Sequence, residues 1–160
     1  MRNPSAPERA PTQKTHFVTV AENVTPYGVG SHRHAPEIDQ ELAALGAEVV
    51  TAFTPHLLPL DQGELVSCYV TPARAVTQDE VDELYASAYA DEPFVELAAE
   101  APGVRDVRDT NLCRIRVHAD TRTGKVFVFS AIDNLWKGAA SQAVQNLNLM
   151  FGLDETAGLA

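Results

Sequence analysis

Cysteine is scarce in this chain of 160 residues: Cys68 and Cys113 are the only two. Neither belongs to a C-x-x-C pair, and the spacing gives no sign of a secreted disulfide framework. Both lie in apolar, strand-like runs, where a buried free thiol is the default expectation. Basic residues are also in short supply. Lys and Arg number 12 against 22 Asp and Glu, a formal net charge of −10. That balance argues against nucleic acid and against an anionic membrane surface as partners. No apolar run approaches the roughly 20 residues of a membrane span. The opening stretch, MRNPSAPERAPTQK, has no apolar core of the secretory kind. It is polar and proline-rich, so residues 1–14 are expected to be disordered. There is no strand-to-helix G-x-G-x-x-G, no phosphate loop and no internal repeat. The class left is a soluble cytoplasmic protein.

Apolar residues make up 45% of the chain, enough for a sizeable core in one domain over residues 15–160. That domain is organised around Tyr27 to Gly46, YGVGSHRHAPEIDQELAALG. Pro36 suits the first position of a helix, and Glu37 and Asp39 put negative charge in its first turn. Ile38, Leu42 and Leu45 recur at helical spacing, and Gly46 is a natural C-terminal cap, so a helix is expected over 35–45. His32 and His34 then fall on an extended segment entering the helix. The positive end of the helix dipole disfavours imidazolium, and a neutral histidine can act as a general base. Capping or packing is the plainer reading of such a pair. A metal reading lacks a third ligand at suitable spacing, so no metal is expected.

Taken in order, HFVTV at 16–20 alternates and reads as a strand, and VVTAF at 49–53 reads as a second. Asp61-Gln62-Gly63 is a tight turn before a third strand, 65–71, and the strands flanking that turn are expected to pair antiparallel. Thr77 and Glu80 form a capping box for a helix ending near Tyr89, with Val81, Leu84, Tyr85 and Ala88 as its buried stripe. Phe94 to Leu97 is short and extended. Residues 112–119 alternate, with Cys113, Ile115 and Val117 on one face and Arg114, Arg116 and His118 on the other. A turn at 121–124 returns the chain as a central strand, 125–131. Asp133 caps a last helix, about 135–150, whose Gly138-Ala139-Ala140-Ser141 turn lets something approach the backbone closely. The sum is an α+β fold: a mixed, largely antiparallel sheet with helices on one face. The other face needs a cover, and a homodimer is the simplest.

Several stretches resemble N-acetyl-gamma-glutamyl-phosphate reductases of arginine biosynthesis. They are ENVTPYGVGSHRHAPEIDQEL, FTPHLLPLDQGEL, YADEPFV, TNLCRI and AIDNLWKGAASQAVQNLNLMFGLDETAGL, in the family's order and spacing. The last is shared more weakly with aspartate-semialdehyde dehydrogenases. The resemblance implies a glyceraldehyde-3-phosphate dehydrogenase-like C-terminal domain that binds substrate and forms a dimer or tetramer. It covers only that half of the family's enzyme. The NADP-binding Rossmann half and its nucleophilic cysteine motif, GCYPT, have no counterpart in these residues, and Cys68 and Cys113 do not match that cysteine. An inactive part of an NADP-dependent reductase is therefore implied. The alternatives are a non-catalytic assembly module of the same fold and a part of an aspartate-semialdehyde dehydrogenase-like enzyme. By resemblance, His34 is the acid/base group and His32 orients substrate or shares that role. Tyr27 and Arg33 contact the substrate, while Asn134, Lys137 and Gly138 meet the cofactor. Two departures stand out. The family commonly has Arg-Gly where this chain has Gln62-Gly63, and Gly where it has Ser141.

Overall fold

The structure is a computed structural model that describes residues 12–13, 15–46 and 49–159. The expected disordered segment, 1–14, lies outside the described residues except at Thr12 and Gln13. The chain clusters into two compact units that divide between Asp61 and Gln62.

The first unit begins with α1, Phe17–Val20. The strand expected at 16–20 is thus a single helical turn, closed by Val20 N–H on the His16 carbonyl (3.1 Å) and Ala21 N–H on that of Phe17 (2.8 Å). Five alternating residues without a ladder partner satisfy their backbone locally instead. β1, Thr25–Pro26, pairs antiparallel with β2, His56–Leu57. Between them runs α2, His34–Ala44, one residue earlier than the spacing suggests. Pro36 sits at the third helical position, still within the first turn, where no backbone N–H needs an intrahelical acceptor. Gly46 follows the helix with φ +89°, a conformation that favours glycine.

The expected strand at 49–53 does not form. Thr51 N–H donates to Asp39 Oδ1 (2.8 Å), as does the Thr51 hydroxyl (2.7 Å). A side chain from α2 has taken the donor that a ladder would use.

The second unit holds a four-stranded sheet in the order β3-β6-β5-β4. β3 is Glu64–Val70, β4 Val95–Leu97, β5 Cys113–Asp120 and β6 Lys125–Ile132. β6 is central, as its β-branched and aromatic content suggests, and pairs antiparallel with β3 and β5; β4 runs parallel to β5. β3 therefore does not form a hairpin across Asp61–Gly63: its partner is β6, and that of β2 is β1. Proximity in sequence suggested the hairpin, but the longer apolar alternation of β6 offers seven paired positions.

α3, Gln78–Ala88, starts with the expected capping box: Glu80 N–H donates to Thr77 Oγ1 and Thr77 N–H to Glu80 Oε2. Val81 packs with Ile115, Val117, Ala119 and Val126 in the buried core, and Tyr85, Tyr89 and Val128 close around them. Gln78 bonds the edge of β5 beyond the reach of β4. Its Nε2 donates to the Val117 carbonyl (3.2 Å), and its Oε1 accepts from Ala119 N–H (2.9 Å). This covers backbone that would otherwise be an open sheet edge. Leu84, expected in the stripe, is 62% exposed.

The opposite face presents Tyr69, Phe127 and His118 in one cross-strand row and Ser67, Phe129 and Arg116 in the next. Tyr69 is 62% exposed and stacks edge-on against Phe127 at 5.1 Å. Arg114 and Arg116 pair with Glu96 (2.8 Å) and Asp82 (3.4 Å).

The last helix begins as a π-helical turn, Trp136–Ala140, and continues as α4, Ser141–Phe151. Gly152 ends it at φ +64°, with Leu153 N–H on the Asn148 carbonyl (2.9 Å). Among the described residues no helix is long and apolar enough to cross a membrane.

Candidate functional site

In the first unit the sequence gathers rings at the entrance to α2. Gly28 and Gly30 adopt φ of +59° and +66°, turning the chain after β1. Ser31 N–H closes on the Gly28 carbonyl (3.0 Å) and Ala35 N–H on that of His32 (3.0 Å). The entry is therefore a run of turns, and His34 is the first residue of the helix instead of lying on an extended segment. Arg33 is the N-cap in αR geometry and exposed, with no ion pair among the described residues. The His32 and His34 rings meet edge to face at 4.8 Å. Tyr27 meets His32 at 5.4 Å, and its N–H is anchored on the Pro55 carbonyl (3.0 Å).

Phe53 completes the group, 5.2 Å from the His32 ring and 6.5 Å from that of His34. Sequence reading missed Phe53, because VVTAF looked like a strand. The signal was Asp39 with Thr51, a carboxylate and a hydroxyl twelve residues apart. His34 N–H donates to His32 Nδ1 at 3.2 Å. His32 and His34 thus stand together with an aromatic wall, and Tyr27 and Arg33 lie beside them.

In the second unit Asp133 is fully buried and satisfied on every side. Its Oδ1 accepts from Leu135 N–H (2.9 Å) and Trp136 N–H (3.1 Å). Oδ2 accepts from Asp109 N–H (2.8 Å) and Gln62 Nε2 (2.9 Å). Gln62 Nε2 also donates to Asp109 Oδ1 (2.6 Å), and Asp109 is held at φ +59°. So the residue expected as a missing cation bridges two carboxylates as a neutral amide. Asn134 Oδ1 accepts from Gly63 N–H at 2.6 Å. Gly63 has φ +120°, and a Cβ there would lie 2.5 Å from Val104 Cβ. The side-chain Nδ2 of Asn134 has no partner among the described residues.

Gly138 lies against the sheet, since a Cβ there would meet Ile132 Cδ1 at 3.4 Å, yet the residue remains exposed. Lys137 is turned inward. Its ammonium donates to Gln145 Oε1 (2.6 Å) and lies 5.4 Å from the Phe94 ring centroid. Partial burial lowers its pKa, against the opposing pull of Cys113, Glu155 and Glu92. Gln145 accepts as well from Asn111 Nδ2 (3.1 Å) and donates to Glu155 Oε1 (2.6 Å). Ser141 Oγ donates to Asn111 Oδ1 (2.5 Å), so the serine ties the helix start into this buried network. Cys68 is exposed on β3, not the buried thiol that its apolar run suggests, and Cys113 is half-buried; partial desolvation raises the pKa of both, the reverse of what activates a nucleophile.

Residues 5–134 match the family model described as "Semialdehyde dehydrogenase, dimerisation domain". The chain belongs to this family. Its curated relatives include N-acetyl-gamma-glutamyl-phosphate reductases. That of Desulforudis audaxviator is 52% identical over 149 residues, covering 91% of the chain and 43% of the relative. That of Moorella thermoacetica is 53% identical over 146 residues, covering 89% and 42%. The chain therefore spans less than half the length of these relatives. Among solved structures, aspartate semialdehyde dehydrogenase II of Vibrio cholerae, complexed with ASA, superposes with a TM-score of 0.68 at 20% identity, over 88% of the chain and 44% of that protein. A probable aspartate-semialdehyde dehydrogenase from Pseudomonas aeruginosa gives 0.65 at 22%, over 82% and 42%. These likenesses fix the dimerisation domain's fold.

Proposed function

We propose that residues 15–160 are the substrate-binding and dimer-forming half of an NADP-dependent reductase. The enzyme would convert N-acetyl-glutamyl phosphate to N-acetylglutamate semialdehyde in cytoplasmic arginine biosynthesis. The observation that carries the proposal is the His32–His34 pair, set edge to face beside Phe53 where α2 begins.

An acyl-phosphate reductase needs a thiol, a base to take its proton, and a cation or donor for the phosphate. Neither cysteine of this chain is activated, so the thiol comes from the cofactor-binding half. His34 takes the thiol proton as sulfur attacks the acyl carbon, and the acyl–oxygen bond to phosphate breaks to leave a thioester and free phosphate. Arg33, at the N-cap of the same helix, holds the phosphate. Tyr27 and His32 orient the acyl chain.

NADP, when bound by the other half, supplies or accepts hydride. The residues here fit its carboxamide end. Asn134 Oδ1 is engaged by Gly63, which leaves Nδ2 to donate to a carboxamide oxygen. Gly138 presents bare, exposed backbone, and Lys137 anchors that turn through Gln145. The exposed sheet face bearing Tyr69, Phe127 and Phe129 is the surface for a second copy, in keeping with the family's description as a dimerisation domain.

Mixing the purified chain with a separately produced cofactor-binding half that carries the cysteine tests this reading. NADP-dependent turnover of N-acetyl-glutamyl phosphate is expected from the mixture and from neither part alone. Turnover by this chain alone, or a silent mixture, would refute the proposal. Light scattering is expected to give a dimer, and a monomer at high concentration would count against the dimer surface.

A further inference from the structure

We propose that Glu155, in the tail after α4, is a positioning residue for the turn that carries Gly138, acting through Gln145 on Lys137. The proposal rests on the functional reading above, which sets that turn against the cofactor. Around the turn lie four buried polar side chains, Asn111, Ser141, Gln145 and Asn148, none more than 6% exposed. Each replaces apolar packing and has to find its partners inside the protein.

Three of them form a directed chain. Ser141 Oγ donates to Asn111 Oδ1 (2.5 Å), Asn111 Nδ2 to Gln145 Oε1 (3.1 Å), and Gln145 Nε2 to Glu155 Oε1 (2.6 Å). A carboxylate only accepts, so the chain ends at Glu155 and its direction is fixed there. Lys137 Nζ joins at Gln145 Oε1 (2.6 Å). One amide therefore stands between an ammonium and a carboxylate, and each charge strengthens the bond on the other side. Asn148 seats the tail: its Nδ2 donates to the carbonyls of Glu155 (3.1 Å) and Ala157 (2.9 Å).

The turn held in this way is the π-helical one, Trp136–Ala140. Its N–H groups reach back five residues, Gly138 to the Asp133 carbonyl (3.0 Å) and Ala140 to that of Leu135 (3.0 Å). Such wide turns are rare and occur often at functional sites. Lys137 and Ser141 bracket the stretch from Gly138 to Ala140, and both lead through Gln145 to Glu155. The tail thus fixes backbone that, in the functional reading, meets the cofactor.

Hydrogen exchange followed by nuclear magnetic resonance on the whole chain is the first test. Glu155→Met removes the acceptor at similar side-chain length, whereas Glu155→Gln keeps an acceptor oxygen. In Glu155→Met the amide protons of Gly138 and Ala140 should exchange about tenfold faster, as for the loss of one charged hydrogen bond. In Glu155→Gln they should exchange nearly as slowly as in the parent. Faster exchange confined to Ala157 and Leu159 would show that Glu155 holds only the tail, and overturns the proposal. Lys137→Met should speed the same two amides, and adding Glu155→Met to it should do little more. Independent, additive effects overturn the route through Gln145.

The second test uses the mixture with the cofactor-binding half. Glu155→Met should raise KM for NADP about tenfold with kcat nearly unchanged, and Glu155→Gln should restore the parental KM. An unchanged KM in Glu155→Met overturns the positioning role. A silent unsubstituted mixture refutes the functional reading instead, and the exchange pattern then decides by itself whether the tail holds the turn.

Discussion

Replacing Asp133 with asparagine changes one oxygen for an NH2 group and leaves the shape almost intact. The consequence follows from the four donors around this carboxylate, two on each oxygen. Asparagine can present its oxygen to one pair only. Its NH2 then faces either the Leu135 and Trp136 amides or the Asp109 amide and Gln62. Two hydrogen bonds to a charged acceptor are lost, each contributing about 1.5–3 kcal/mol. The relief of no longer burying a charge offsets part of this. A net loss of about 2–4 kcal/mol is expected. For a chain of this length, at about 2–4 °C per kcal/mol, that lowers the melting temperature by roughly 5–15 °C. Thermal and urea unfolding followed by circular dichroism measure it. Asp109→Asn is the control, because the Asp109 side chain is exposed and, among the described residues, accepts only from Gln62. An Asp133→Asn protein melting within about 2 °C of the parent, against the roughly 5–15 °C expected, would show that the donors do not depend on the charge. The hub would then have been misread.

Other substitutions probe the same unit and the proposed chemistry. Gly63→Ala should cost about 3 kcal/mol or more, from positive φ together with overlap on Val104, read as a fall in the urea midpoint. Lys137→Met should change stability by less than about 1 kcal/mol, because burial already disfavours the ammonium, whereas Gln145→Leu should cost about 2–3 kcal/mol by stranding three polar partners. The order of those two urea midpoints is the check. In the cofactor-supplied mixture, His34→Ala should cut turnover about 10²–10⁴-fold without altering the oligomer seen by light scattering. Cys113 has its pKa raised by burial. Above about pH 8.5 an unfolded thiol ionises while the folded one keeps its proton, so the native state binds more protons and stability falls with rising pH. Relative to the parent, Cys113→Ser should flatten that alkaline decline in urea titrations taken between pH 8 and 10.

Elements whose signal is local were legible in the sequence. The capping box at Thr77 and Glu80 closes on itself within four residues, and it is there. The alternation in β5 and the turn before β6 are strong enough to set register without outside help. The failures share a cause as well. HFVTV and VVTAF carry strand-like composition, but a strand exists only where a partner ladder is available. His16 to Val20 has none among the described residues, and Thr51 has its N–H taken by Asp39.

The proposed site divides along the same line. That His32, Arg33 and His34 belong together is visible in three consecutive letters. That Phe53 walls them is not visible, because it depends on a hydrogen bond between residues 39 and 51. Gln62 is the sharper case. By the resemblance it stands where the family commonly has arginine, which suggests a weakened site. In the folded unit its single amide nitrogen reaches both Asp109 and Asp133, so the neutral side chain still joins the two carboxylates. A cation there would add charge balance to contacts already made. A neutral side chain at position 62 therefore bears first on stability, through the hub that starts the last helix. In the proposed function it would act on the chemistry only through Asn134 and Gly138, whose placement that hub fixes.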